Sequence, residues 1–367
     1  MWFLTPTIFS LLFSPHKHIP YLQTAKNVIL TGVKSVTLYD DHPVQWSDLS
    51  SQFYLTEQDV VNKSNNNNNN NNNNWTRSDA SLEHLKELNQ YVSVTVHHGD
   101  LNDSLLSTFN VIVFADDHLS IAQLVERNEF CRSRGIKFIA AESRGLFGSI
   151  FCDFGTDFVI YDEDGENPVT NIVTNITNSQ PGSVSVHDDK AVHGLYDDDY
   201  VVFEGLEGAL GEELNHKAPI QIKSTGKHTF TIGDTTHLPP YTGGGYVKQV
   251  KPPKTVQYDS LAQQLQKPTI IDYDFAKFGR PLQLHAFSLA LSDFTLQHGG
   301  QLPRSYNEED ATAVVELAKQ HYAQLLTATE TDASSALPLD DKMIKLLAYG
   351  SRGNLSPMAA LLGGIAA

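Results

Sequence analysis

The side chains best suited to nucleophilic chemistry in this chain are its two thiols, Cys131 and Cys152. A cysteine that forms thioesters needs an exposed thiolate that nearby positive charge stabilises. Cys131 shares an apolar helical face with Ile121, Leu124 and Val125, and Cys152 lies in an aromatic, strand-like run. We therefore interpret both as core residues, with a reactive thiol as the alternative, and predict no catalytic residue. Two cysteines are also too few for a disulfide framework, and no C-x-x-C pair offers a zinc site.

Histidine pairs and a glycine run are the other candidates for chemistry. The tight histidine pairs are His16/His18 and His97/His98, and neither has a cysteine or carboxylate constellation at ligand spacing, so we predict no metal site. Gly243–Gly245 lies between short strands with no helix after it, so it lacks the helix N-terminus that binds phosphate. A hairpin turn is the better interpretation, and no cofactor-binding residue is predicted.

Composition restricts the class of partner. A net charge of -17 argues against a nucleic-acid surface, which needs clustered Lys and Arg. Hydrophobic content of 40% and a mean hydropathy of -0.27 fit a soluble chain of two or three domains. The apolar stretch Trp2–Phe13 lacks a basic region, contains Pro6 and is too short to span a bilayer. An atypical N-terminus is the favoured interpretation, a targeting signal is the alternative, and no membrane association is predicted. The acid runs Asp188–Asp189 and Asp197–Asp199 are interpreted as solvated loops, the alternative being a surface for a basic partner.

The chain from Gln23 onward has the pattern of a nucleotide-type α/β domain. Thr24–Gly32 matches the helix that follows a glycine-rich phosphate loop, and Lys34–Asp40 matches the next strand, which ends in an acid. Gly32 is the first glycine, so the strand and glycine turn that normally precede this helix are missing from the pattern. We therefore predict an incomplete sheet and treat residues 1–22 as an atypical N-terminus.

Helices and strands then alternate to about Gly148. The asparagine run of residues 65–74 cannot bury apolar surface, which predicts a disordered loop over residues 62–76. Ser78 or Asp79 is expected to cap the next helix. Strands are expected at Val92–Val96, Asn110–Ala115 and Ile136–Ala140. This alternation indicates a mostly parallel, Rossmann-like sheet for residues 23–167.

Residues 168–250 have a different pattern. Short alternating runs are separated by glycine- or proline-rich turns, namely Tyr200–Phe203, Ile220–Ile222, His228–Ile232 and Tyr246–Val250. They predict an inserted small antiparallel β-barrel domain, with Gly205, Gly208 and Gly211 in its loops.

Helices dominate after the proline-rich segment Lys251–Lys254. We expect helices over Leu284–His298 and Asp341–Tyr349, and one capped by Asn307, so that residues 251–349 form a helical bundle. Ser356–Pro357 opens a further helix that ends in an apolar run. Residues 350–367 are predicted to return to the first domain, truncated at Ala367.

Strings spread along the chain in unchanged order resemble the ubiquitin-activating enzymes. They are Thr37–Asp41, Gln45–Phe53, Arg144–Gly148, Phe151–Gly155, Asp274–Phe278, Asn307–Asp310 and Leu361–Ala366. The resemblance covers about Gln23 to Ala367. It implies an inactive adenylation (ThiF-like) domain interrupted by the first catalytic-cysteine half-domain and by a four-helix bundle.

The resemblance also implies a function for the whole protein. The full-length family enzyme uses ATP and magnesium to join the ubiquitin C-terminus to AMP, then transfers ubiquitin to a cysteine and on to a conjugating enzyme. The active adenylation domain, the cysteine-bearing domain and the ubiquitin-like fold of the family would follow Ala367. The chain is therefore expected to be an N-terminal scaffold fragment, inactive alone and without its own cofactor.

At the level of single residues, the resemblance points to an inactive site. The active copy of the domain carries Ser-Asn-Leu-x-Arg-Gln-Phe after an acidic strand end, and Ser47–Phe53 occupies the corresponding positions here. Ser51 stands at the arginine, and a serine cannot neutralise a triphosphate. His42 stands at the second acid, whereas Asp40 remains. The N-terminal arginine of the family has no match in residues 1–22.

The partners that the resemblance implies are ubiquitin, an active adenylation domain or subunit and, through the full-length protein, a ubiquitin-conjugating enzyme. The expected location is the cytoplasm and nucleus. A non-catalytic module that binds ubiquitin or a separate adenylation subunit is the alternative. A nucleotide-dependent oxidoreductase explains the chain less well, because the glycine fingerprint and a suitably placed Tyr-x-x-x-Lys pair are missing.

Overall fold

The structure, a computed structural model, describes residues 10–16, 20–66, 76–116, 119–187, 191–270, 277–329 and 337–367. The chain divides into two compact units, one of residues 1–156 together with 257–367, and the other of residues 157–256. Within the described ranges no helix combines the length and the apolar character needed to cross a membrane. Each unit is a mixture of helices and strands.

A six-stranded sheet forms the centre of the first unit. Its strands are β1 (Ser10–His16), β2 (Ser35–Leu38), β3 (Ser93–Val96), β4 (Val111–Asp116), β5 (Lys137–Arg144) and β6 (Phe147–Asp153). Their order across the sheet is β3-β2-β1-β4-β5-β6. Each neighbouring pair from β3 to β5 runs parallel, and β6 is antiparallel to β5.

The prediction that this sheet lacks its first strand is wrong. β1 lies at the centre of the sheet, in register with β2 from Ser10 to Phe13 and with β4 from Leu11 to His16. Pairing with two neighbours defines this strand, and it does not require the glycine turn on which the prediction relied. Pro15 also argues against a central strand from sequence alone, because proline has no N–H to donate to a neighbouring strand.

Helices cover both faces of the sheet. They are α1 (Pro20–Thr31), α2 (Glu57–Asn66), α3 (Arg77–Leu88), α4 (Asp103–Leu106) and α5 (Ile121–Ser133), with a 3-10 turn at Trp46–Ser50. Along β4, Val113 packs in a cluster with Ile29 and Leu85, whereas Ile112 and Phe114 pack in a second cluster. Successive residues of a strand point to opposite faces, so both faces of the sheet are buried.

Two expectations for this region need correction. α2 continues to Asn66, so the loop predicted over residues 62–76 starts later than expected, and residues 67–75 of the asparagine segment lie outside the described residues. The cap of α3 is Thr76, whose hydroxyl oxygen accepts a hydrogen bond from the Asp79 backbone N–H. The Asp79 carboxylate in turn accepts a hydrogen bond from the Thr76 N–H, which completes a capping box, so the predicted cap was two or three residues too late.

The second unit is a nearly closed antiparallel barrel. Its elements are β7 (Phe158–Ile160), β8 (Thr170–Ile176), β9 (Gly182–Val186), β10 (Tyr200–Leu206), α6 (Gly208–Leu214), β11 (Ile220–Gln221), β12 (Lys223–Gly226), β13 (Thr229–Ile232), β14 (Gly244–Val250) and β15 (Lys254–Val256). Seven strands follow the order β11-β10-β14-β8-β9-β13-β12. The two edge strands are joined by a single residue, Ile222, so the sheet curls back on itself. β7 and β15 form a separate pair.

The glycines of this unit differ from their predicted roles. Gly208 and Gly211 belong to α6 and not to a loop, and Gly211 is buried where an added Cβ would lie 2.1 Å from the Leu206 carbonyl oxygen. Gly243–Gly245 is not a hairpin turn, because β14 pairs with β10 and β8 and not with the preceding β13. Gly245 has φ +96 and passes so close to Leu206 that a Cβ would lie 2.5 Å from its Cδ2.

The remaining elements return to the first unit. They are α7 (Leu261–Gln266), α8 (Arg280–Gln297), α9 (Glu308–Ala328), α10 (Asp341–Gly350) and α11 (Ser356–Ala366). α8, α9 and α10 pack around one apolar cluster, in which Phe147 of β6 meets Phe287 edge to face at 5.2 Å. The predicted cap of α9 is confirmed, since the Asn307 side chain accepts from the Asp310 N–H at 2.9 Å.

α11 closes the first unit by packing on α1. The Asn27 side-chain amide lies 3.5 Å from the Gly363 carbonyl oxygen, across 336 residues of sequence. Leu362 of α11 lies over Gly148 of β6, where a Cβ would come within 2.4 Å of its Cδ1. The first unit is therefore assembled from segments at both ends of the described chain.

Candidate functional site

A buried polar cluster lies just beyond the carboxyl end of β2. We call it the strand-end cluster, and it consists of Asp40, His42, Asp48, Ser51, Gln52 and Arg77. In open α/β sheets, ligands bind outside the carboxyl ends of the strands. The cluster is therefore where a nucleotide-binding relative of this sheet would hold its ligand.

Arg77 is the centre of the strand-end cluster. Its Nε lies 2.8 Å from Asp40 Oδ2, and its Nη2 donates to Asp40 Oδ1 at 3.1 Å. Nη1 reaches Asp48 Oδ1 at 3.4 Å. Arg77 is 2% exposed, Asp40 1% and Asp48 3%, so one guanidinium contacts two carboxylates away from water. The Nη2 contact is a charge-assisted hydrogen bond, a class roughly twice as strong as a bond between neutral groups, and Nε adds a close ion-pair contact.

Local structure fixes each member of this ion pair. Arg77 is the first residue of α3, and its backbone N–H donates to the His42 carbonyl oxygen at 3.1 Å. Pro43 and Thr76 form an isolated antiparallel bridge, which ties the start of α3 to the segment after β2. Asp48 lies in the 3-10 turn, where its Oδ2 accepts from the Gln45 N–H at 2.9 Å.

His42 adds a titratable group at the rim of the strand-end cluster. Its Nδ1 lies 2.9 Å from Asp41 Oδ1 and 3.5 Å from Asp40 Oδ1, and its backbone N–H donates to Asp40 at 3.0 Å. The interaction with Asp40 raises the pKa of His42, with a further contribution from Asp41, although burial and Arg77 oppose this. The positively charged form of His42 is therefore more favoured than that of a free histidine.

The residues that follow the 3-10 turn are buried but not charged. Ser51 is 3% exposed, and its hydroxyl lies 3.2 Å from that of Ser50. Gln52 is 1% exposed, and neither atom of its side-chain amide has a hydrogen-bond partner within the described residues. The position that the resemblance assigns to a phosphate-binding arginine thus holds a small neutral side chain.

The electrostatics of the strand-end cluster favour an internal ion pair over an external ligand. Burial raises the pKa of Asp48, while Arg77 and the Gln45 N–H act in the opposite direction. Arg77, which carries the positive charge at the centre of the cluster, is already engaged by Asp40 and Asp48, so it is not available to a phosphate. Asp40, Asp41 and His42 have ligand atoms within 4.8 Å of one another, but Asp40 shares both of its oxygens with Arg77.

Both cysteines lie in or against the core, as interpreted from the sequence. Cys131 is fully buried in the apolar cluster of Phe114 and Phe138, and burial raises the pKa of its thiol to about 12. Cys152 is half-buried, and burial raises the pKa of its thiol as well. Neither environment stabilises a thiolate, which is the form that attacks a carbonyl.

The other residues singled out from the sequence do not join the strand-end cluster. His98 Nε2 lies 3.2 Å from Asp79 Oδ1 at the start of α3. Asp197 and Asp198 are exposed, yet Asp197 accepts from the Ser224 N–H at 2.8 Å and Asp198 from Gln221 at 2.9 Å. The side chains of His16 and His18, and the acids Asp188–Asp189, lie outside the described residues, as does most of Asp274–Phe278.

Sequence reasoning missed Arg77 entirely. The arginine is separated from Asp40 by 37 positions and from Asp48 by 29, and the asparagine run lies between them. One signal was available, because Thr76 and Asp79 have the spacing of a capping box and so place Arg77 in the first turn of α3. No spacing rule connects that turn to the end of β2.

Comparison with known proteins identifies the relatives of the chain. Residues 179–251 match the family model described as the ubiquitin-activating enzyme E1 FCCH domain, and residues 252–322 match the ubiquitin-activating enzyme E1 four-helix bundle. The chain is 42% identical over 346 residues to ubiquitin-like modifier-activating enzyme 1 of Homo sapiens, covering 94% of this chain and 30% of that protein. It is 40% identical over 347 residues to ubiquitin-like modifier-activating enzyme 1 of Dictyostelium discoideum, covering 94% of this chain and 31% of the relative.

A plant relative extends this pattern. The chain is 40% identical over 348 residues to ubiquitin-activating enzyme E1 2 of Arabidopsis thaliana, again with 94% of this chain and 30% of the relative covered. The chain thus spans about 30% of the length of these relatives. Two family models and similarity over 94% of this chain agree with the strings noted in the sequence, and the chain matches a part of the ubiquitin-activating enzymes.

Proposed function

We propose that this chain is a non-catalytic scaffold part of a ubiquitin-activating enzyme. Its parallel strands follow the 3-2-1-4-5 order of a doubly wound nucleotide-binding sheet, which supports a Rossmann-like, inactive adenylation domain. α8, α9 and α10 would belong to the helical bundle of the family. One observation carries the proposal: Arg77 is already engaged by Asp40 and Asp48 at the strand end where a nucleotide would bind.

The activity of the whole protein is also a proposal. The names of the relatives describe ubiquitin-activating and ubiquitin-like modifier-activating enzymes. We propose that this chain takes part in ATP- and magnesium-dependent activation of ubiquitin by packing against an active adenylation domain, in the cytoplasm and nucleus. That domain would supply the ATP site and the path to a catalytic cysteine and a ubiquitin-conjugating enzyme.

ATP–pyrophosphate exchange in the presence of ubiquitin tests the proposal directly. The chain alone should give no exchange above background, because Ser51 supplies no charge to the triphosphate and Arg77 is engaged. The matched control is the same assay after addition of an active adenylation half from a relative. Exchange by the isolated chain would overturn the proposal, as would specific retention of magnesium-ATP in equilibrium dialysis.

Ubiquitin is the partner that the second unit is proposed to contact. Asp197 and Asp198 are exposed and acidic, which suits the basic face of ubiquitin. Asp198→Asn removes one negative charge and keeps an oxygen that can accept the hydrogen bond from Gln221. It therefore disturbs the local structure less than a substitution by a basic residue would. We expect ubiquitin to bind the variant more weakly, and the difference to shrink in high salt. Equal affinity in titration calorimetry would remove Asp198 from the contact.

A further inference from the structure

A cavity of about 450 Å³ lies in the first unit, apart from the strand-end cluster. One wall is the sheet, where Phe114, Ala140, Ile150 and Phe151 line it. The other wall is formed by α7 and α8, with Leu284 and Leu289 among its residues. The volume lies in the range of small-molecule sites, and predominantly apolar walls are typical of them.

His285 is the polar group that distinguishes this cavity from a packing defect. It lines the cavity from α8, and its Nε2 is buried with no hydrogen-bond partner within the described residues. Burial lowers the pKa of His285, which favours the neutral form of the ring. In the tautomer that carries its proton on Nδ1, Nε2 offers a free lone pair. A buried acceptor left unpaired is unfavourable, and a ligand that donates to it relieves this cost.

The charges around the cavity restrict which ligand it can hold. Glu142 also lines it and is paired with Arg144, whose Nε lies 2.7 Å from Glu142 Oε1. A negatively charged ligand would meet the Glu142 carboxylate and would find an acceptor, not a donor, at Nε2. A ligand with an apolar body and one N–H or O–H group fits both the walls and the lone pair.

We propose that this cavity binds a small, neutral, mostly apolar molecule of the indole or phenol class, whose N–H or O–H donates to His285 Nε2. Ordered water is the competing occupant. A buried water generally needs two to four polar partners, and the walls around His285 are largely apolar. The walls therefore favour the apolar ligand.

Indole and benzothiophene form a matched pair of probes, because they have nearly the same shape and only indole has an N–H. In titration calorimetry on the full chain, we expect indole to bind about tenfold more tightly than benzothiophene. His285→Phe keeps an aromatic ring but removes the hydrogen-bond acceptor. The affinity of this variant for indole should therefore fall to its affinity for benzothiophene. His237→Phe, an exposed histidine of the second unit, is the control and should change neither probe.

A second variant tests the place of binding independently of His285. Ser288 lines the cavity and is half-buried, so Ser288→Leu should fill part of the volume and reduce the affinity of both probes by about tenfold or more. Circular dichroism confirms that each variant folds. The proposal is overturned by absence of indole binding at about 1 mM, by equal affinity for the two probes, or by binding that survives Ser288→Leu.

Discussion

Two nitrogens of Arg77 contact the Asp40 carboxylate, although the two residues are 37 positions apart in the sequence. Nε lies 2.8 Å from Oδ2, and Nη2 lies 3.1 Å from Oδ1. This contact fills the strand end with an internal cation. A nucleotide-binding sheet leaves that place open for its ligand. Under the proposed function, this charge pair occupies the strand end that a nucleotide-binding relative keeps for its ligand.

Removal of Arg77 should destabilise the first unit strongly. Arg77→Met leaves Asp40 and Asp48 buried without their counter-charge, and breaking a buried pair in this way costs about 3–5 kcal/mol. Arg127→Met is the control, since Arg127 makes a solvent-accessible contact at 3.5 Å with Asp103 and should cost no more than about 1 kcal/mol. The free energy of unfolding in urea measures both. Adding Asp40→Asn to Arg77→Met should recover part of the loss, and equal stability of Arg77→Met and the wild type would refute the assignment.

The ion pair between Arg304 and Asp310 at the start of α9 should stabilise the fold, and low pH should remove this contribution. Arg304 contacts Asp310 through Nη2 at 2.7 Å and Nε at 3.0 Å, and these bonds lower the pKa of Asp310 to about 2. Because the folded-state pKa lies below the unfolded value, the contribution is full above the unfolded pKa and disappears as pH falls towards about 2. Asp310→Asn should therefore cost more at about pH 6 than at about pH 3.

Glu309 provides the matched control for Asp310. It lies in the same first turn, but its carboxylate is 89% exposed and 3.6 Å from Arg304. Glu309→Gln removes the same charge near the helix N-terminus without touching the close pair, so it should change stability much less. Thermal unfolding of both variants across this pH range provides the comparison. A penalty for Asp310→Asn that stays constant with pH would exclude the pKa as its cause.

Neither thiol should behave as a nucleophile in the folded chain. Cys131 is fully buried with a pKa of about 12, and burial also raises the pKa of Cys152. Thiolate concentration controls alkylation, so iodoacetamide should label both far more slowly than it labels free cysteine. Urea should restore fast labelling of both residues. Rapid labelling of native Cys131, followed by mass spectrometry, would show that its surroundings open.

Gly148 should be required for the docking of α11. A Cβ there would lie 2.4 Å from Leu362 Cδ1 and 2.9 Å from the Glu142 carbonyl oxygen, so Gly148→Ala should cost about 1–3 kcal/mol. Gly350→Ala is the control, because nothing lies within 4 Å of its Cβ position. Leu362→Ala in the Gly148→Ala background should relieve only the side-chain part of the clash. Equal melting temperatures for the two glycine variants would contradict this packing.

Local patterns predicted much of the fold. Thr24–Gly32 corresponds to α1, which ends where Gly32 adopts φ +86, and the spacing after Asn307 identified the start of α9. These predictions succeeded because a helix end depends on a few neighbouring residues. The strands of the second unit were also visible, since a half-buried strand alternates in polarity along its own length.

Long-range pairing was harder to predict. β1 was missed because its position depends on β2 and β4, while Pro15 and the lack of glycine argued against it locally. α6 was missed because two glycines in one turn favour a loop on propensity, yet Gly211 is needed for the close approach to Leu206. The contact of Arg77 with Asp40 has no local signature at all. The sequence therefore indicated an altered site through Ser51 and His42, and only the structure showed what occupies it.

The packing of α1 on α11 has a consequence for the folding of this chain during its synthesis on the ribosome. Asn27 and its partner Gly363 are 336 residues apart in the sequence. At typical rates of synthesis, the ribosome needs roughly 20 to 70 s to make the chain between them. During that interval the apolar face of α1 has no α11 to cover it, and chaperones are suited to such a surface. Among the residues that the structure describes, the strands of residues 157–256 pair with one another and not with the first sheet, so that unit can fold before synthesis ends. Synthesis thus completes the second unit before it completes the first, whose two segments flank the second unit in the sequence.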